Sequence, residues 1–329
     1  MQKLIPVIEE RIKVAPECFI RPLIHREKFS LSIEVAHVGG EPIPYGKALS
    51  LPFSPLKEGD AWGAKWDTTW FKFSGEVPLH WQGEKVVAMV NLDSEERGFG
   101  GVEGTVWMEG KPVIAVNRSS QVVPVIESAL GGEKIEFYIE AVANPVAKLS
   151  MGGDDLLMPE YDSEPLYKLQ TAELATHDEE AYQLLMDFTS VADAMFVMSE
   201  DSPRRGQLLR ALNETCQELE YSNQYSIQPA RGVLAEVLSK MNSDTIHQVT
   251  AVGCPQVNDS WCWPLRETIR KCARTFSTVL RCMERYPDYH FVCSQPAKYL
   301  WMRKYYPSIY TDIKAAVSRG QWEIVGSMW

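Results

Sequence analysis

The sequence has a shortage of positive charge, and this shortage excludes one large class of partner. Its 329 residues include 33 lysines and arginines against 44 aspartates and glutamates, which gives a formal net charge of −11. A nucleic-acid-binding surface needs a basic footprint to neutralise phosphates, and the lysines and arginines here are dispersed along the chain. We therefore predict no nucleic-acid partner.

Long apolar runs and paired cysteines are also missing. No stretch of about 18 apolar residues occurs, so no segment is expected to span a membrane. The first 19 residues lack the apolar block and cleavage site of a signal peptide. Seven cysteines without a C-x-x-C pair favour reduced thiols over a disulfide framework or a zinc ribbon. These features predict a cytoplasmic location, with a vacuole or lysosome reached without a signal peptide as the alternative.

The motifs of several common enzyme classes are absent as well. The sequence contains no G-x-G-x-x-G, no G-x-x-x-x-G-K-S/T, no G-x-S-x-G and no H-E-x-x-H. The six histidines show no metal-ligand spacing. Dinucleotide-binding, P-loop, serine-hydrolase and zincin chemistries are therefore not indicated.

The first half of the chain has the short period of β-strands. Runs such as "KVVAMVNLD" and "KIEFYIEAVAN" are rich in β-branched and aromatic residues, and turn sequences such as "HWQGEK" and "LGGEK" separate them. Alternating apolar and polar positions indicate strands buried on one face. We predict an antiparallel β-sandwich over residues 31–160, preceded by an amphipathic helix or arm over residues 1–30.

The next region has a helical period and predicts a helical linker over residues 161–244. Apolar residues in "AELATHDEEAYQLLMDFTSVADAMFVM" recur at close to 3.6 positions. They are Leu174, Tyr182, Leu185, Phe188 and Met195. "SPRRGQLLRALNETCQEL" follows, with Ser202 as the predicted N-cap and proline at the first helical position. "ARGVLAEVLSKMNS" predicts a third helix.

Strand and helix alternate from residue 245 onward. "IHQVTAVG", "YHFVCSQ" and "WEIVGSMW" predict three strands, and residues 265–285 and "SIYTDIKAAVSRG" predict two helices, the second ending at Gly320. This order implies parallel strands with right-handed crossovers. Three parallel strands leave an open edge, so we predict an incomplete α/β barrel over residues 245–329 and a chain cut short after Trp329. The predicted fold class is multidomain, α and β.

The loop "GCPQVNDSWCWP" over residues 253–264 is the first candidate site. It follows a predicted parallel strand at the end where α/β sheets bind ligands. Alternation along an extended strand end places Cys254, Gln256 and Asn258 on one side. Amide oxygens bind zinc far more weakly than imidazole or carboxylate does. A structural turn and a metal site are both compatible with this pattern.

Aromatic and charged residues beside this loop are the second candidate set. Trp261 and Trp263 precede the predicted helix, where their rings either stack on a sugar or pack under the loop. Arg266 and Glu267 lie in the first turn of that helix, as substrate contacts or as an exposed charge pair. Glu323 is the one acid near the expected barrel end, although it precedes the carboxyl end of its strand.

The C-terminal third closely resembles the start of the catalytic domain of glycoside hydrolase family 38, the α-mannosidases. "AVGCPQVNDSWCWPLRETIRKCARTF" through "WEIVGSMW" carries the resemblance, and the cytosolic and vacuolar branch is the closer match. "WGAKWDTTWFKFSGEVP" resembles the family's N-terminal β domain, and "DSPRRGQLLRALNET" resembles its helical linker. The resemblance implies zinc-dependent, retaining hydrolysis of terminal α-mannose in the turnover of free oligosaccharides. A mannose-containing oligosaccharide is the implied substrate.

This sequence departs from the family's loop pattern G-H-x-H-x-D-x-x-W-x-W-P at the metal positions. The glycine, both tryptophans and the proline match. Cys254 replaces the first histidine, Gln256 the zinc-binding histidine and Asn258 the zinc-binding aspartate. The resemblance implies that the nucleophile, a further histidine ligand and the acid/base lie beyond Trp329, so we predict no catalytic residue in this chain.

Two predictions follow from the departures. Losing an imidazole and a carboxylate weakens zinc binding, and losing the nucleophile removes the covalent step, so the chain is predicted to be an inactive member of the family. The alternative prediction is a non-enzymatic chain that assembles with a second copy of itself or with a full-length α-mannosidase.

Overall fold

The structure is a computed structural model that describes residues 4–39, 41–93, 100–146, 148–149, 156–157, 164–220, 223–240, 249–255, 257 and 263–326. The helices are α1 (Ile5–Ala15), α2 (Arg21–Ile24), α3 (Tyr45–Ala48), α4 (Glu179–Val197), α5 (Pro203–Glu218), α6 (Ile227–Leu238), α7 (Leu265–Arg285), α8 (Pro296–Tyr305) and α9 (Pro307–Ser318). A π-helical turn joins α1 to α2, and two short 3-10 turns occur at Leu79–Trp81 and Gln224–Ser226. No helix within these ranges is both long and apolar enough to cross a membrane.

Within the same described ranges, sixteen short strands accompany the helices. They are β1 (Lys28–Ser30), β2 (Ser32–Val38), β3 (Ser54–Pro55), β4 (Ala61–Trp62), β5 (Thr68–Glu76), β6 (Val86–Asn91), β7 (Glu103–Met108), β8 (Lys111–Asn117), β9 (Val122–Ile126), β10 (Lys134–Val142), β11 (Lys148–Leu149), β12 (Leu156–Leu157), β13 (Tyr167–Lys168), β14 (Thr171–Thr176), β15 (Phe291–Val292) and β16 (Trp322–Glu323).

Two antiparallel sheets contribute to one apolar core, as predicted for the N-terminal half. The larger sheet has the order β3-β2-β5-β10-β7-β8, and the smaller has the order β1-β14-β6-β9. Phe71, Phe73 and Phe137 of the larger sheet meet Ala88 and Leu174 of the smaller sheet in this core. Phe71 and Phe73 are two positions apart, so the period of two places both on the inner face.

Strand β14 corrects the helix prediction for this part of the chain. The spacing predicted a helix that includes Leu174, but Thr171–Thr176 is a strand between β1 and β6. Leu174 is buried in the core between the sheets, so tertiary pairing overrides the local period. Helix α4 begins only at Glu179, where the Asp178 side chain accepts a hydrogen bond of 3.0 Å from the Ala181 N–H. The sheet thus extends past residue 160, the boundary expected from the sequence.

A separate helical unit combines the N-terminal segment with α4, α5 and α6. Its core contains Ile12 and Ile20 from the first segment and Phe188, Leu212 and Leu234 from the later helices. Residues 1–30 were predicted as an arm of their own. The described part of this segment up to α2 instead packs one apolar face, which includes Ile12, Ile20 and Leu23, against helices that follow the β-sandwich.

The C-terminal region has parallel strand pairing, which within the described residues consists of three residue pairs. Strand β15 pairs in parallel with β16, and Gly253 forms a parallel bridge to Phe291. The predicted strand "IHQVTAVG" is wrong where the structure describes it, because residues 249–252 lie outside any strand. Val249 is 86% exposed, so this segment is not the buried strand expected. Helix α8, between β15 and α9, was not predicted.

Helices α7, α8 and α9 share a core with the outer face of the larger sheet. Trp70 of β5 and Trp107 of β7 belong to this core, together with Phe276, Phe291 and Trp322 of the C-terminal region. The Phe276 and Trp322 rings meet edge to face with centroids 5.1 Å apart. The larger sheet is therefore covered on both faces, which fixes α7 against the β-sandwich.

Candidate functional site

Gly253 anchors the start of the candidate loop between two neighbouring segments. Its N–H donates to the His290 carbonyl at 3.0 Å, and its own carbonyl accepts from the Val292 N–H at 2.9 Å. A Cβ at this position would lie 2.4 Å from the Tyr289 hydroxyl and 3.1 Å from the Phe291 ring. A larger residue would force the Tyr289 and Phe291 side chains to shift, so the first residue of the motif has a packing role.

The predicted metal positions Gln256 and Asn258 lie outside the described residues, and so does the predicted sugar contact Trp261. Cys254 is described, and its thiol is exposed and free. Within the described ranges, no group of three or more histidine, cysteine, aspartate or glutamate side chains is arranged to hold a metal ion. Whether this loop suits a metal ion therefore has to be judged from the residue types at positions 254, 256 and 258 and from the described residues that contact the loop.

A buried lysine contacts this loop between the two metal positions. Lys298 of α8 is 2% exposed, and its Nζ donates a hydrogen bond of 3.1 Å to the carbonyl of Val257. An ammonium group beside the loop opposes the binding of a second cation there. The donor set of one thiol and two neutral amides, with a lysine in contact, does not fit zinc. The contact of Lys298 with this loop was not predicted from the sequence. The one available signal was a lysine among apolar and aromatic residues in the segment "PAKYLW".

Trp263, another predicted sugar contact, is held by the helix that follows it. Its indole Nε1 donates to the Thr268 hydroxyl at 3.0 Å, and the Lys271 Nζ lies 4.4 Å from the centroid of a ring. The side chain is partly buried. Of the two interpretations given to this residue, these contacts favour the packed ring.

Arg266 and Glu267, adjacent in the first turn of α7, have different surroundings. Arg266 forms an ion pair of 3.1 Å with Glu41. Glu267 is fully buried, so the exposed charge pair expected from the sequence does not form. The two side chains point away from each other around the helix because neighbouring positions on a helix do not share a face.

Glu267 is one of six charged residues in a network of which four members are buried and two are partly buried. Its carboxylate pairs with Arg274 and, at 2.8 Å, with Arg270. All three cations are on α7, whereas two of the three carboxylates come from strands β7 and β10. The members are Glu103, Glu140, Glu267, Arg270, Lys271 and Arg274. The charges balance, which is the condition under which burying them is tolerated.

Protonation in this network follows burial and charge pairing. Burial raises the pKa of the Glu140 carboxyl, although Arg270 and Arg274 act in the opposite direction. Burial acts in the same direction on Glu103, but Arg274 and Lys271 outweigh it and hold the pKa of that carboxyl below its ordinary value. The Glu103 end of the network is therefore stabilised as an ion pair between β7 and α7.

A cavity of about 760 Å³ lies beside this network, between the larger sheet and the C-terminal helices. Its lining comes from residues 41–46, from Trp107 with residues 109–112, from Glu140 of β10, from the start of α7 and from the junction of α8 with α9. Arg266 is the one predicted substrate contact that the structure places on this lining. The other lining residues were not predicted, because the lining comes from five separate parts of the sequence.

Two family models match the chain. The α-mannosidase jelly roll domain matches residues 28–175, and the N-terminal domain of glycosyl hydrolases family 38 matches residues 247–329. The first match begins with β1 and ends one residue before the end of β14. The domain match therefore supports the same end of the β region as the strand pairing does.

Curated relatives are α-mannosidases. Alpha-mannosidase 2C1 of Homo sapiens is 27% identical over 317 residues, which are 95% of this chain and 29% of the relative. Alpha-mannosidase G of Dictyostelium discoideum is 29% identical over 322 residues, which are 94% of this chain and 29% of the relative. The chain thus spans less than a third of the length of these relatives.

Among solved structures, the β-glucuronidase of Ruminococcus gnavus aligns over 46% of this chain and 29% of its own chain. The identity is 14% and the TM-score is 0.28, values too low to support an argument about this protein. The two domain matches and the sequence similarity to α-mannosidases over nearly the whole chain agree: residues 28–175 are similar to the α-mannosidase jelly roll domain, and residues 247–329 to the N-terminal domain of glycosyl hydrolases family 38, the family of the α-mannosidases.

Proposed function

We propose that this chain is an α-mannosidase relative that does not carry out zinc-dependent hydrolysis of terminal α-mannose. The observation that carries the proposal is the buried ammonium of Lys298, which donates to the carbonyl of Val257. Val257 lies between Gln256 and Asn258, the residues at the family's metal positions. A positive charge thus contacts the loop in which the family resemblance implies a cation, and the residues at the metal positions of that loop are neutral amides.

The physical argument concerns charge as well as ligand type. Zinc in proteins is held by imidazole, thiolate and carboxylate groups, and the anionic ligands offset its double charge. The amides of Gln256 and Asn258 supply no negative charge, and a lysine in contact with the loop adds a positive one. Both departures lower the affinity for a divalent cation, so they act together.

The test measures bound zinc and turnover separately on the purified chain. We expect substoichiometric zinc by elemental analysis after equilibration with zinc, and hydrolysis of 4-nitrophenyl α-mannoside no faster than the buffer blank. Stoichiometric zinc together with turnover would overturn the proposal. The alternative, assembly with a second copy or with a full-length α-mannosidase, stays a prediction that co-purification tests. The cytoplasmic location also stays a prediction.

Matched variants separate the contribution of the ligands from that of the lysine. The double variant Gln256→His/Asn258→Asp restores the family's residue types and should bind zinc more tightly than the unmodified chain. Adding Lys298→Gln removes the ammonium and should raise the zinc affinity further, on the order of tenfold. Equal zinc affinities with and without Lys298 would show that the lysine plays no part in excluding the metal.

A further inference from the structure

His177 is a histidine that the fold excludes from water where three structural units meet. It lies between β14 of the smaller sheet and α4 of the helical unit. Its ring is 5.7 Å from the Tyr182 ring, over which the Arg285 guanidinium at the end of α7 lies at 4.9 Å. His177 is 7% exposed, and neither ring nitrogen forms a hydrogen bond within the part of the chain that the structure describes. Buried nitrogens are normally paired, so this imidazole is buried at a cost in stability.

The backbone at His177 ties the helical unit to the smaller sheet. The His177 N–H donates to the carbonyl of Lys85, just before β6, at 2.8 Å. The N–H of Asp178, the next residue, donates to the carbonyl of Ile24 in α2 at 2.8 Å. A change at the His177 ring therefore acts on a segment that holds α2, α4 and β6 together.

Positive groups approach the His177 ring from several elements. The His25 ring, at the end of α2, lies 5.2 Å away, centroid to centroid. The Glu179 carboxylate lies 3.4 Å from the Nε2 of His177, but it already pairs with Lys85 at 3.2 Å and with Arg285. The other charged or titratable groups around the two rings are Arg21, Arg26, Lys28, Glu127, Asp178 and Tyr182. A proton on either imidazole thus adds a charge to a place where cations are already gathered.

Burial and these cations favour neutral imidazoles. Burial is the main cause that lowers the pKa of His177 to about 4, and His25, Lys85 and Arg285 act in the same direction against Glu179. Burial also lowers the pKa of His25. A histidine with a lowered pKa binds protons more readily once it is exposed to water. The closed junction is therefore most stable above the ordinary pKa of about 6.5 and loses stability as the pH falls from there toward about 4.

We propose that the paired rings of His177 and His25 form an acid-operated latch, which holds the helical unit to the smaller sheet at neutral pH and releases it at about pH 5. Opening lets water solvate the imidazolium groups and separates them from Lys85 and Arg285. The latch distinguishes a neutral compartment from an acidic one. It requires neither a metal nor a sugar, so its test is independent of the zinc measurements.

Hydrogen exchange by mass spectrometry of the unmodified chain tests the latch at about pH 7.5 and about pH 5, after correction for the intrinsic pH dependence of exchange. The lowered pKa of His177 should make opening about tenfold or more favourable at the lower pH. Peptides that cover residues 21–27, 84–88 and 176–186 should therefore lose protection, whereas peptides of β5 and β10 should keep theirs. Unchanged protection in the first three segments would refute the proposal.

A matched pair of substitutions assigns the acid response to this ring. His177→Phe keeps a ring in the junction that cannot be protonated, and it removes no side-chain hydrogen bond because neither nitrogen makes one. The acid response of the three segments should become about threefold smaller or less. His290→Phe is the control, since His290 is exposed and contacts the carbonyl of Asp288 in its own turn. Its response should stay within about twofold of that of the unmodified chain.

A second variant and a second measurement cover the case in which phenylalanine does not fit. His177→Leu also removes the titrating group, and the thermal unfolding midpoint of either variant should fall less between about pH 7.5 and about pH 5 than that of the unmodified chain. The pKa of Glu179 is lowered to about 2, so its stabilising contribution is lost only below its ordinary pKa of 4.5, outside this window. An acid response that persists in both His177 variants, or that His290→Phe reduces equally, would overturn the latch.

Discussion

Glu267 is a carboxylate that the fold removes from water altogether. Its side chain has no exposed surface, and it pairs with Arg270 and Arg274 and accepts a hydrogen bond of 3.2 Å from the Asn144 amide. Removing one member of a buried ion pair leaves the other charge uncompensated, which costs more than the pair itself contributes. Glu267 therefore holds the start of α7 against the β-sandwich through charges that depend on one another.

Replacing this one residue should be severe. Glu267→Ala leaves two buried guanidinium groups without their shared partner, so we expect the free energy of unfolding to fall by about 3–5 kcal/mol. Urea denaturation followed by tryptophan fluorescence measures the loss. Glu284→Ala is the control on the same helix, since Glu284 is exposed and its ion pair with Arg281 should contribute about 0–1 kcal/mol. Similar losses in the two variants would contradict the role given to the buried network.

At the scale of the element, the start of α4 shows how a helix boundary is set. Asp178 lies at the N-cap and its carboxylate accepts from the Ala181 N–H, so a donor of the first turn is satisfied. Ser202 occupies the same position before α5 but makes no side-chain cap hydrogen bond. The sequence predicted Ser202 as a cap and did not identify Asp178, because a strand was mistaken for the first turns of that helix.

The two cap positions offer a matched pair of substitutions. Asp178→Ala removes a cap hydrogen bond and should lower the free energy of unfolding by about 1 kcal/mol. Ser202→Ala removes a side chain that makes no such bond and should change it by less than about 0.5 kcal/mol. Denaturation midpoints of both variants check the difference. An equal loss at Ser202 would show that the hydroxyl contributes to the cap in solution.

At the scale of the whole molecule, the β-sandwich and the C-terminal helices are joined by a shared core. Trp70 and Trp107 extend from the larger sheet into the cluster around Phe276. The helical unit built from α1 and α4–α6 has a cluster of its own, with Phe188 at its centre. The larger sheet should therefore be more sensitive to a change in the C-terminal helices than to a change in the helical unit.

Two core phenylalanines test this coupling. Phe276→Ala and Phe188→Ala each remove a fully buried ring, and each should cost about 3–5 kcal/mol locally. Hydrogen exchange by mass spectrometry should show faster exchange in peptides of β7 and β10 for Phe276→Ala than for Phe188→Ala. Equal protection of these strands in the two variants would mean that the C-terminal core unfolds without affecting the sheet.

The sequence by itself determined the features that depend on local pattern. Alternation in "IEFYIEA" predicted β10 as a strand with one buried face, and the strand is present, but its second half is buried on both faces. The apolar spacing over residues 265–285 predicted α7 with the bounds that the structure gives. Gly320 follows α9 in a left-handed conformation with φ +77°, as predicted for the end of a helix. The loop motif together with the upstream segments identified the family.

Only the tertiary structure decided which charges are buried and which surfaces meet. Glu267 looked like an exposed residue because the segment that covers it is distant in sequence: Asn144, whose amide donates to its carboxylate, stands more than a hundred positions earlier in the chain. Lys298 of α8 contacts the loop over residues 253–264 at Val257, and the cavity lining comes from five segments of the sequence. Local patterns report which face of an element is apolar. They do not report which distant element covers that face, because pairing and desolvation are properties of the assembled core.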